Sequence, residues 1–300
     1  MSTSARAQEQ ELDQTRTDYH DAVSGPRDVQ ETIILPSSGW VPLELKELWH
    51  YRGLLYFFVW RDIKVRYKQT LLGAAWAIVQ PFFTMVVFSI FFGQLAGMPS
   101  DGVPYPIFVY TALVPWTYFA TALTQASTSL VEHERVITKV YFPRLLVPMA
   151  PMLAALVDFA IAFVILVGMM LWYGIVPSAA VLTVPLFVLL ATATALSVGL
   201  WLAAFNVQYR DVRYVIGFLI QFWLFATPVA YPSSIVPEQW RILYGLNPMV
   251  GVVEGFRWAL LGQARPPGLL LTVSLLTVIG LLVGGLYYFR RMEESFADVV

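Results

Sequence analysis

The chain contains no cysteine and only three histidines among its 300 residues. The absence of cysteine excludes disulfide bonds, thiolate catalysis and cysteine-ligated metal sites. The histidines, His20, His50 and His133, are too scattered to form a histidine metal site with helical spacing. We therefore expect the chain to hold no metal and no cofactor of its own.

The motifs of the common hydrolases are also missing. None of the four lysines is followed by Ser or Thr, so the sequence has no G-x-x-x-x-G-K-[ST] phosphate loop. It has neither a G-x-S-x-G elbow nor an H-E-x-x-H helix. The acids beside His133, Glu132 and Glu134, are more typical of a solvated helix face than of a metal site. We expect that the chain is not an enzyme and does not hydrolyse ATP by itself.

Charge is scarce, and neither sign dominates. Charged residues make up 13 % of the chain, hydrophobic residues make up 58 %, and the net charge is −1. Nucleic-acid binding needs an excess of Lys and Arg on one face, so this composition argues against it. So many apolar residues cannot be hidden in one globular interior. The composition predicts a protein whose solvent is lipid.

The first 39 residues differ from the rest. Residues 1–39 mix both charge signs with Ser, Gln and Thr, which is typical of a disordered tail. No apolar stretch follows their arginines, so they do not form a secretory signal peptide. We expect a disordered cytoplasmic tail.

Six later stretches are long and apolar enough, or nearly so, to cross a membrane, because a hydrocarbon core of about 30 Å needs roughly 20 helical residues. The predicted spans are residues 74–97, 105–130, 145–173, 181–205, 214–231 and 269–289. The predicted fold is therefore an all-α integral membrane protein with six transmembrane helices.

Basic residues set the orientation of these spans. Arg61, Lys64, Arg66 and Lys68 lie within eight residues, directly before the first span. Sixteen of the nineteen Lys and Arg residues fall on the same side of the membrane under the six-span topology. Because basic residues concentrate on the cytoplasmic side, both termini are predicted to be cytoplasmic.

Two further segments lie at the membrane without crossing it. Residues 43–60 divide apolar from polar side chains at helical period, which predicts an amphipathic interface helix. Residues 237–261 predict a pair of short re-entrant helices before the last span. Asn247 and Pro248 fit the start of the second helix, and Gly262 fits its end. The alternative is an external amphipathic helix that lies on the surface.

One acid lies within a span. Asp158 is in the third predicted span, and an intramembrane acid is a functional candidate by default. A single acid makes a poor proton relay, however. We favour the structural interpretation, in which Asp158 pairs with a basic side chain or a hydroxyl group of a neighbouring helix.

Three segments resemble one family of transporters. They are WRDIKVRYKQTLLGAAWAIVQPFF, NVQYRDVRYVIGFLIQFWLFATPVAYPSSIVPEQWR and LNPMVGVVEGFRWALLG. They resemble the membrane subunits of ABC-type polysaccharide, O-antigen and teichoic-acid exporters of the Wzm and TagG type, and the resemblance covers about residues 40–290. It implies a permease that moves a lipid-linked polysaccharide across the bacterial inner membrane. A small-molecule or drug efflux permease of the same superfamily is the alternative.

The resemblance also implies partners. Two copies of the chain would work with two copies of a cytoplasmic ATPase subunit, which would bind ATP and Mg. A polyprenyl-diphosphate-linked glycan and membrane lipids would be the other partners. The contact with the ATPase is expected in two charged linkers, of which a solvated loop is the alternative. The candidate coupling residues are Glu132, Glu134, Arg135, Lys139, Arg144, Arg210 and Asp211.

Further roles follow from the resemblance and from side-chain chemistry. The cluster Arg61, Lys64, Arg66 and Lys68 is the candidate site for the lipid diphosphate, with plain binding of anionic lipid heads as the alternative. Aromatic rings suit a sliding sugar polymer, and the candidates are Phe88, Phe91, Phe92 and Trp116. Glu254 and Arg257 can pair on one helix face, as an outer gate or as a structural salt bridge.

Overall fold

The computed structural model describes residues 45–68, 75–209, 211–262, 266 and 268–293. The tail predicted at 1–39 lies outside the described residues, as do Arg210 and Arg265. Within the described residues every regular element is a helix and no strand occurs, which confirms the all-α fold class. The helices in chain order are α1 Leu45–His50, α2 Arg52–Lys68, α3 Ala75–Leu95, α4 Tyr105–Glu132, α5 Glu134–Ile137, α6 Leu146–Trp172, α7 Val184–Gln208, α8 Val212–Ala226, α9 Arg241–Gly245, α10 Pro248–Leu261 and α11 Gly268–Glu293.

Five helices are long and apolar enough to cross a membrane. They are α3, α4, α6, α7 and α11. A 3₁₀ turn over Ala179–Thr183 extends α7 at its start. The fifth predicted span is a helix of only 15 residues, which rises about 22 Å and is shorter than the membrane core. It ends before Pro228, because the residue preceding proline is driven out of the helical region. A sixth crossing at this helix stays a prediction.

The N-terminal part is two helices rather than one. The sequence predicts an interface helix over 43–60, whereas α1 ends at His50 and α2 runs on through the basic cluster to Lys68. Residues 52–68 contain no proline that would end the helix at 60. Phe58 is the buried side chain of α2, and Trp49 on α1 is exposed.

Helix α4 lies at the centre of the bundle. Its N-terminal half is almost continuously buried, and it packs against α3, α6, α7 and α10. Alanines such as Ala122 and Ala126 are fully buried there, which lets neighbouring helices approach closely. The other spans expose most of their surface, as expected for helices that face lipid or another chain. Helix α4 is therefore the scaffold that positions the other spans.

A second apolar cluster lies at the end of the bundle that is predicted to face the cytoplasm. We call it the inner cluster, and its buried members are Phe58, Leu130, Ile137, Phe142, Leu145, Leu146, Val147, Ala150, Leu200, Ala203, Ala204, Val207 and Phe289. It joins α2 and the linker after α4 to the ends of four long helices. Phe58 and Phe142 meet edge to face, with ring centroids 5.6 Å apart. The linker is thus attached to α2 as well as to the spans.

In the segment before the last helix, α10 begins and ends at the predicted residues. Asn247 caps α10 by accepting a hydrogen bond from the Met249 N–H, and Gly262 ends the helix at a φ of 67°. The first helix of the pair is shorter than expected, a 3₁₀ turn over Glu238–Trp240 followed by α9. Thirteen of the fourteen residues of α10 are buried. A helix lying on the surface would expose one face, so this burial argues against the surface alternative, and re-entry into the membrane stays a prediction.

Candidate functional site

The four clustered cations do not form one site. On a helix, residues three or four apart share a face, whereas residues two apart point in nearly opposite directions. Lys64 and Lys68 accordingly lie with Arg61 along an exposed groove of about 370 Å³, beside Trp60. Arg66 points to the other side of α2, toward α6. The sequence cluster is therefore divided between two faces of one helix.

Arg66 forms an ion pair with Asp158 of α6. One guanidinium nitrogen donates to Asp158 Oδ2, and the other donates to Gln125 Oε1 of α4. The Tyr67 hydroxyl donates to Asp158 Oδ1. Burial, followed by this hydrogen bond, raises the pKa of Tyr67, so the phenol keeps the proton that it donates. Asp158 is thus paired with both a cation and a hydroxyl group, as the structural interpretation predicts, and its role stays a prediction.

An open cavity of about 570 Å³ lies against this ion pair and is lined by residues of α2, α3, α4 and α6. Trp76 of α3 and Phe159 of α6 are among its apolar walls. Its polar lining comes from Gln80 and from a row of three residues on α4, namely Thr117, Thr121 and Gln125. Sequence reasoning missed this site. The signal that could have found it is the four-residue spacing of Thr117, Thr121 and Gln125, which places them on one face of a span.

Arg61 connects α2 to the linker that follows α4. It bonds Asp62 at 2.8 Å, and its guanidinium lies 5.0 Å from the centre of the Phe58 ring. Its Nη2 also lies 2.5 Å from His133 Nε2. The other ring nitrogen of His133 is 2.8 Å from the Ser129 carbonyl, which can only accept, so Nδ1 donates and Nε2 accepts from Arg61. Arg61 is thus a neighbour of the predicted coupling residues.

The linker itself is less helical than expected. The sequence is long enough for three helical turns, whereas only the single turn of α5 forms before the chain turns toward Pro143. Ile137 and Phe142 are held in the inner cluster, while the charged side chains stay outside. The exposed candidates are Glu132, Glu134, Arg135 and Lys139.

The remaining coupling candidates are placed differently. Arg144 bonds the end of the last helix: its guanidinium donates to the Glu293 carbonyl, and its backbone N–H donates to Glu293 Oε1 at 3.0 Å. The structure therefore separates Arg144 from the exposed group. Asp211, before α8, is exposed. Arg210 is outside the described residues, so its role stays a prediction.

The candidate pathway aromatics also fall into two groups. Phe88 and Phe92 pack edge to face near the outer end of α3, with centroids 5.3 Å apart, and Phe91 beside them is 58 % exposed. Trp116 is only 4 % exposed and packs against Phe119 in the core of the bundle. In this conformation Trp116 has no access to a path along the surface of the chain.

Glu254 and Arg257 form the ion pair that their spacing predicts, at 3.1 Å and buried within α10. The Arg257 guanidinium also donates to the carbonyls of Val229 at 3.0 Å and Tyr231 at 3.3 Å, and it lies 3.5 Å from the centre of the Phe108 ring. Within the described part of the chain, its Nε has no hydrogen-bond partner. The pair fastens α10 to the segment after α8 and to α4.

These features define a class. A bundle of helices long and apolar enough to cross a membrane, preceded by a basic helix and with a buried helix before the last span, is the architecture of an integral membrane protein. Residues 53–261 match the sequence profile of the ABC-2 type transporter family, and the chain belongs to that family. Family members are permease subunits of ABC transporters, which implies that the ATPase is a separate subunit.

Several relatives align over most of their own length. The O-antigen export system permease protein RfbA of Myxococcus xanthus is 29 % identical over 260 residues, which cover 85 % of this chain and 98 % of RfbA. The polysialic acid transport protein KpsM of Escherichia coli is 24 % identical, with coverages of 78 % and 92 %. The inner membrane transport permease YadH of Escherichia coli (strain K12) is 26 % identical, with coverages of 69 % and 81 %.

Proposed function

We propose that this chain is the permease subunit of an ATP-driven exporter that moves a lipid-linked polysaccharide across the bacterial inner membrane. The supporting observation is the alignment with RfbA, which extends over nearly all of that O-antigen permease. KpsM, named for polysialic acid transport, aligns over a similar region. Relatives named for two different surface polysaccharides favour a polysaccharide cargo.

The working complex is proposed to contain two copies of this chain and two ATPase subunits, with both termini in the cytoplasm. A path between two copies suits the exposed aromatic rings of α8, because Tyr214, Phe218, Phe222 and Phe225 all lie on its surface. Phe88, Phe91 and Phe92 of α3 are the further candidates for that path. The Glu254–Arg257 contact is proposed to hold the outer gate closed.

The ATPase is proposed to dock on the linker after α4. A coupling element needs charged groups that a partner can contact, and it must be held in place by packing against the rest of the permease. The linker has both, because Glu134 and Arg135 are exposed while Ile137 and Phe142 are fixed in the inner cluster. Asp211 offers a second contact at the end of α7.

The lipid diphosphate is proposed to bind first at the groove on α2. Lys64 and Lys68 are one helical turn apart there, and flexible ammonium groups attract phosphates at a membrane surface. The Lys64 ammonium nitrogen lies 5.3 Å from the centre of the Trp60 ring. Tryptophan is an amphipathic side chain suited to the membrane interface. Arg66 points away from this groove and pairs with Asp158, so we do not include it in this step.

The test combines a deletion strain with the purified complex. Deleting the gene should remove the surface polysaccharide, and a plasmid copy should restore it. In nanodiscs, a polyprenyl-diphosphate-linked glycan should stimulate ATP hydrolysis by the permease–ATPase complex. Stimulation by amphiphilic drugs instead, with normal surface polysaccharide in the deletion strain, would refute the proposal and favour drug efflux.

A further inference from the structure

We propose that the cavity between α2, α3, α4 and α6 binds a neutral sugar ring, one glycosyl residue of the lipid-linked cargo. This inference rests on the proposed function and adds a glycan site apart from the groove on α2. The volume of about 570 Å³ lies within the range of small-molecule sites, roughly 300–1,000 Å³. The cavity is thus large enough for a ligand of this class.

The charge of the cavity selects a neutral ligand. Arg66 and Asp158 form an ion pair at its wall, so their charges cancel. A phosphate would gain attraction from the guanidinium and repulsion from the carboxylate. A sugar hydroxyl group can donate to the carboxylate and accept from a cation, so it gains from both partners. The pair therefore favours a polyhydroxylated, uncharged group over an anion.

The polar row on α4 points to the same ligand. Thr117, Thr121 and Gln125 recur every fourth residue and line the cavity from one face of the helix. Most neighbours on that helix are apolar and fully buried, such as Phe119 and Ala122. Thr117 donates its hydroxyl proton to the Leu113 carbonyl, and Gln125 Oε1 accepts from Arg66. What these two side chains still offer a ligand is a hydroxyl acceptor and the two amide protons of Gln125. Hydroxyl and amide groups offer both donors and acceptors, as sugar recognition requires.

Two aromatic rings complete the site. Phe159 stands at the wall and is fixed by neighbouring rings, with its centroid 5.7 Å from Tyr118 and 5.8 Å from Phe163. Trp76 of α3 lies across the cavity and is largely exposed, so it can be reached from outside. The apolar face of a sugar ring can pack on such a ring while its hydroxyl groups meet the polar row.

The site lies in the half of the bundle that we propose to face the cytoplasm. Asp158 is twelve residues from the start of α6, or about 18 Å along the helix. Gln125 is seven residues from the end of α4, or about 10 Å. A lipid-linked sugar that arrives from the inner leaflet would meet this cavity before the outer half of the bundle.

The test compares two probes on the permease–ATPase complex in nanodiscs of phosphatidylethanolamine and phosphatidylglycerol. The probes are farnesyl diphosphate and farnesyl-diphospho-N-acetylglucosamine, and the measurement is the Kd of each. We expect the sugar to tighten binding about tenfold, which corresponds to one or two hydrogen bonds. Thr121→Val and Gln125→Leu should each remove most of that gain and leave the Kd of farnesyl diphosphate unchanged.

Thr124→Val is the matched control, since Thr124 lies on the same helix but is exposed and does not line the cavity. It should keep the full gain. A gain that persists equally in all three variants would overturn the sugar site while leaving the proposed function intact. Equal binding of both probes by the wild type would overturn it as well, as would a loss of farnesyl diphosphate binding in the Thr121 and Gln125 variants. If neither probe binds or stimulates ATP hydrolysis, the proposed function itself fails. Trp76→Leu replaces an exposed residue of the same cavity, so it repeats the test without altering the polar row.

Discussion

Removing the carboxylate of Asp158 should loosen the attachment of α2 to α6. Asp158→Ala deletes the acceptor for Arg66 and for Tyr67 and leaves the guanidinium with only Gln125 of these partners. Removing one partner of a buried ion pair costs about 3–5 kcal/mol, and an exposed pair contributes about 0.2–1 kcal/mol. The two side chains are 22 % and 24 % exposed, so the pair lies between these limits. We expect a loss of about 2–3 kcal/mol.

This loss can be measured as a melting temperature. At about 2–4 °C per kcal/mol, the expected decrease is roughly 4–12 °C. Tryptophan fluorescence of the purified permease in detergent would follow unfolding, at one fixed scan rate because membrane proteins unfold irreversibly. Glu238→Ala is the control, since Glu238 forms an ion pair with Arg241 but is 90 % exposed. The control should melt within about 2 °C of the wild type.

A double variant separates the ion pair from other effects. Arg66→Leu combined with Asp158→Leu leaves no unpaired charge. Its melting temperature should therefore decrease by less than the sum of the decreases in the two single variants. Asp158→Asn should be milder than alanine, because its single amide oxygen can still accept from either Tyr67 or Arg66, although the amide nitrogen cannot accept from the other. If Asp158→Ala melts like the Glu238 control, the ion pair does not hold α2 in place. If Asp158→Asn melts normally but loses export, Asp158 acts as a relay and the structural interpretation is refuted.

Three further predictions concern other parts of the chain. Charge reversal at Glu134 and Arg135 should leave basal ATP hydrolysis intact and abolish export of surface polysaccharide; normal export would refute the coupling role. Gly255→Ala should lower the melting temperature by several degrees, because the new methyl group meets the Phe187 ring and overpacking costs typically about 1–3 kcal/mol. An unchanged melting temperature would contradict the close packing. Lys64→Gln should weaken binding of farnesyl diphosphate several-fold and reduce its salt dependence, whereas unchanged binding at low salt would favour a purely topological role for the cluster.

Local patterns were enough to predict most of the helices. Helices long and apolar enough to cross a membrane form at five of the six predicted spans, because an apolar run of the right length is itself the physical requirement for crossing. Asn247 and Gly262 mark the ends of α10 because capping depends on the chemistry of one or two residues. The helix after Asp211 was predicted to be longer, because a count of apolar residues gives no weight to the proline at 228.

The sites depend on contacts between distant residues, and these were harder to predict. The partner of Asp158 is 92 residues away, so the sequence could give the kind of partner but not its identity. Arg144 lies in a charged linker yet bonds Glu293, which is 149 residues away. The division of the basic cluster was within reach of the sequence, since Lys64 and Arg66 are two residues apart on a helix and must diverge. Charge density alone obscured that difference.

The attachment of the linker to α2 determines how its coupling role must be tested. Phe142 packs on Phe58, and His133 accepts from Arg61, so α2 and the linker share both an apolar and a polar contact. Substituting Phe142 would therefore disturb α2 and the groove that it carries as well as any ATPase contact. Loss of export in such a variant would not distinguish coupling from diphosphate binding. The exposed Glu134 does not belong to the inner cluster, so a defect there with unchanged farnesyl diphosphate affinity is attributable to the ATPase contact.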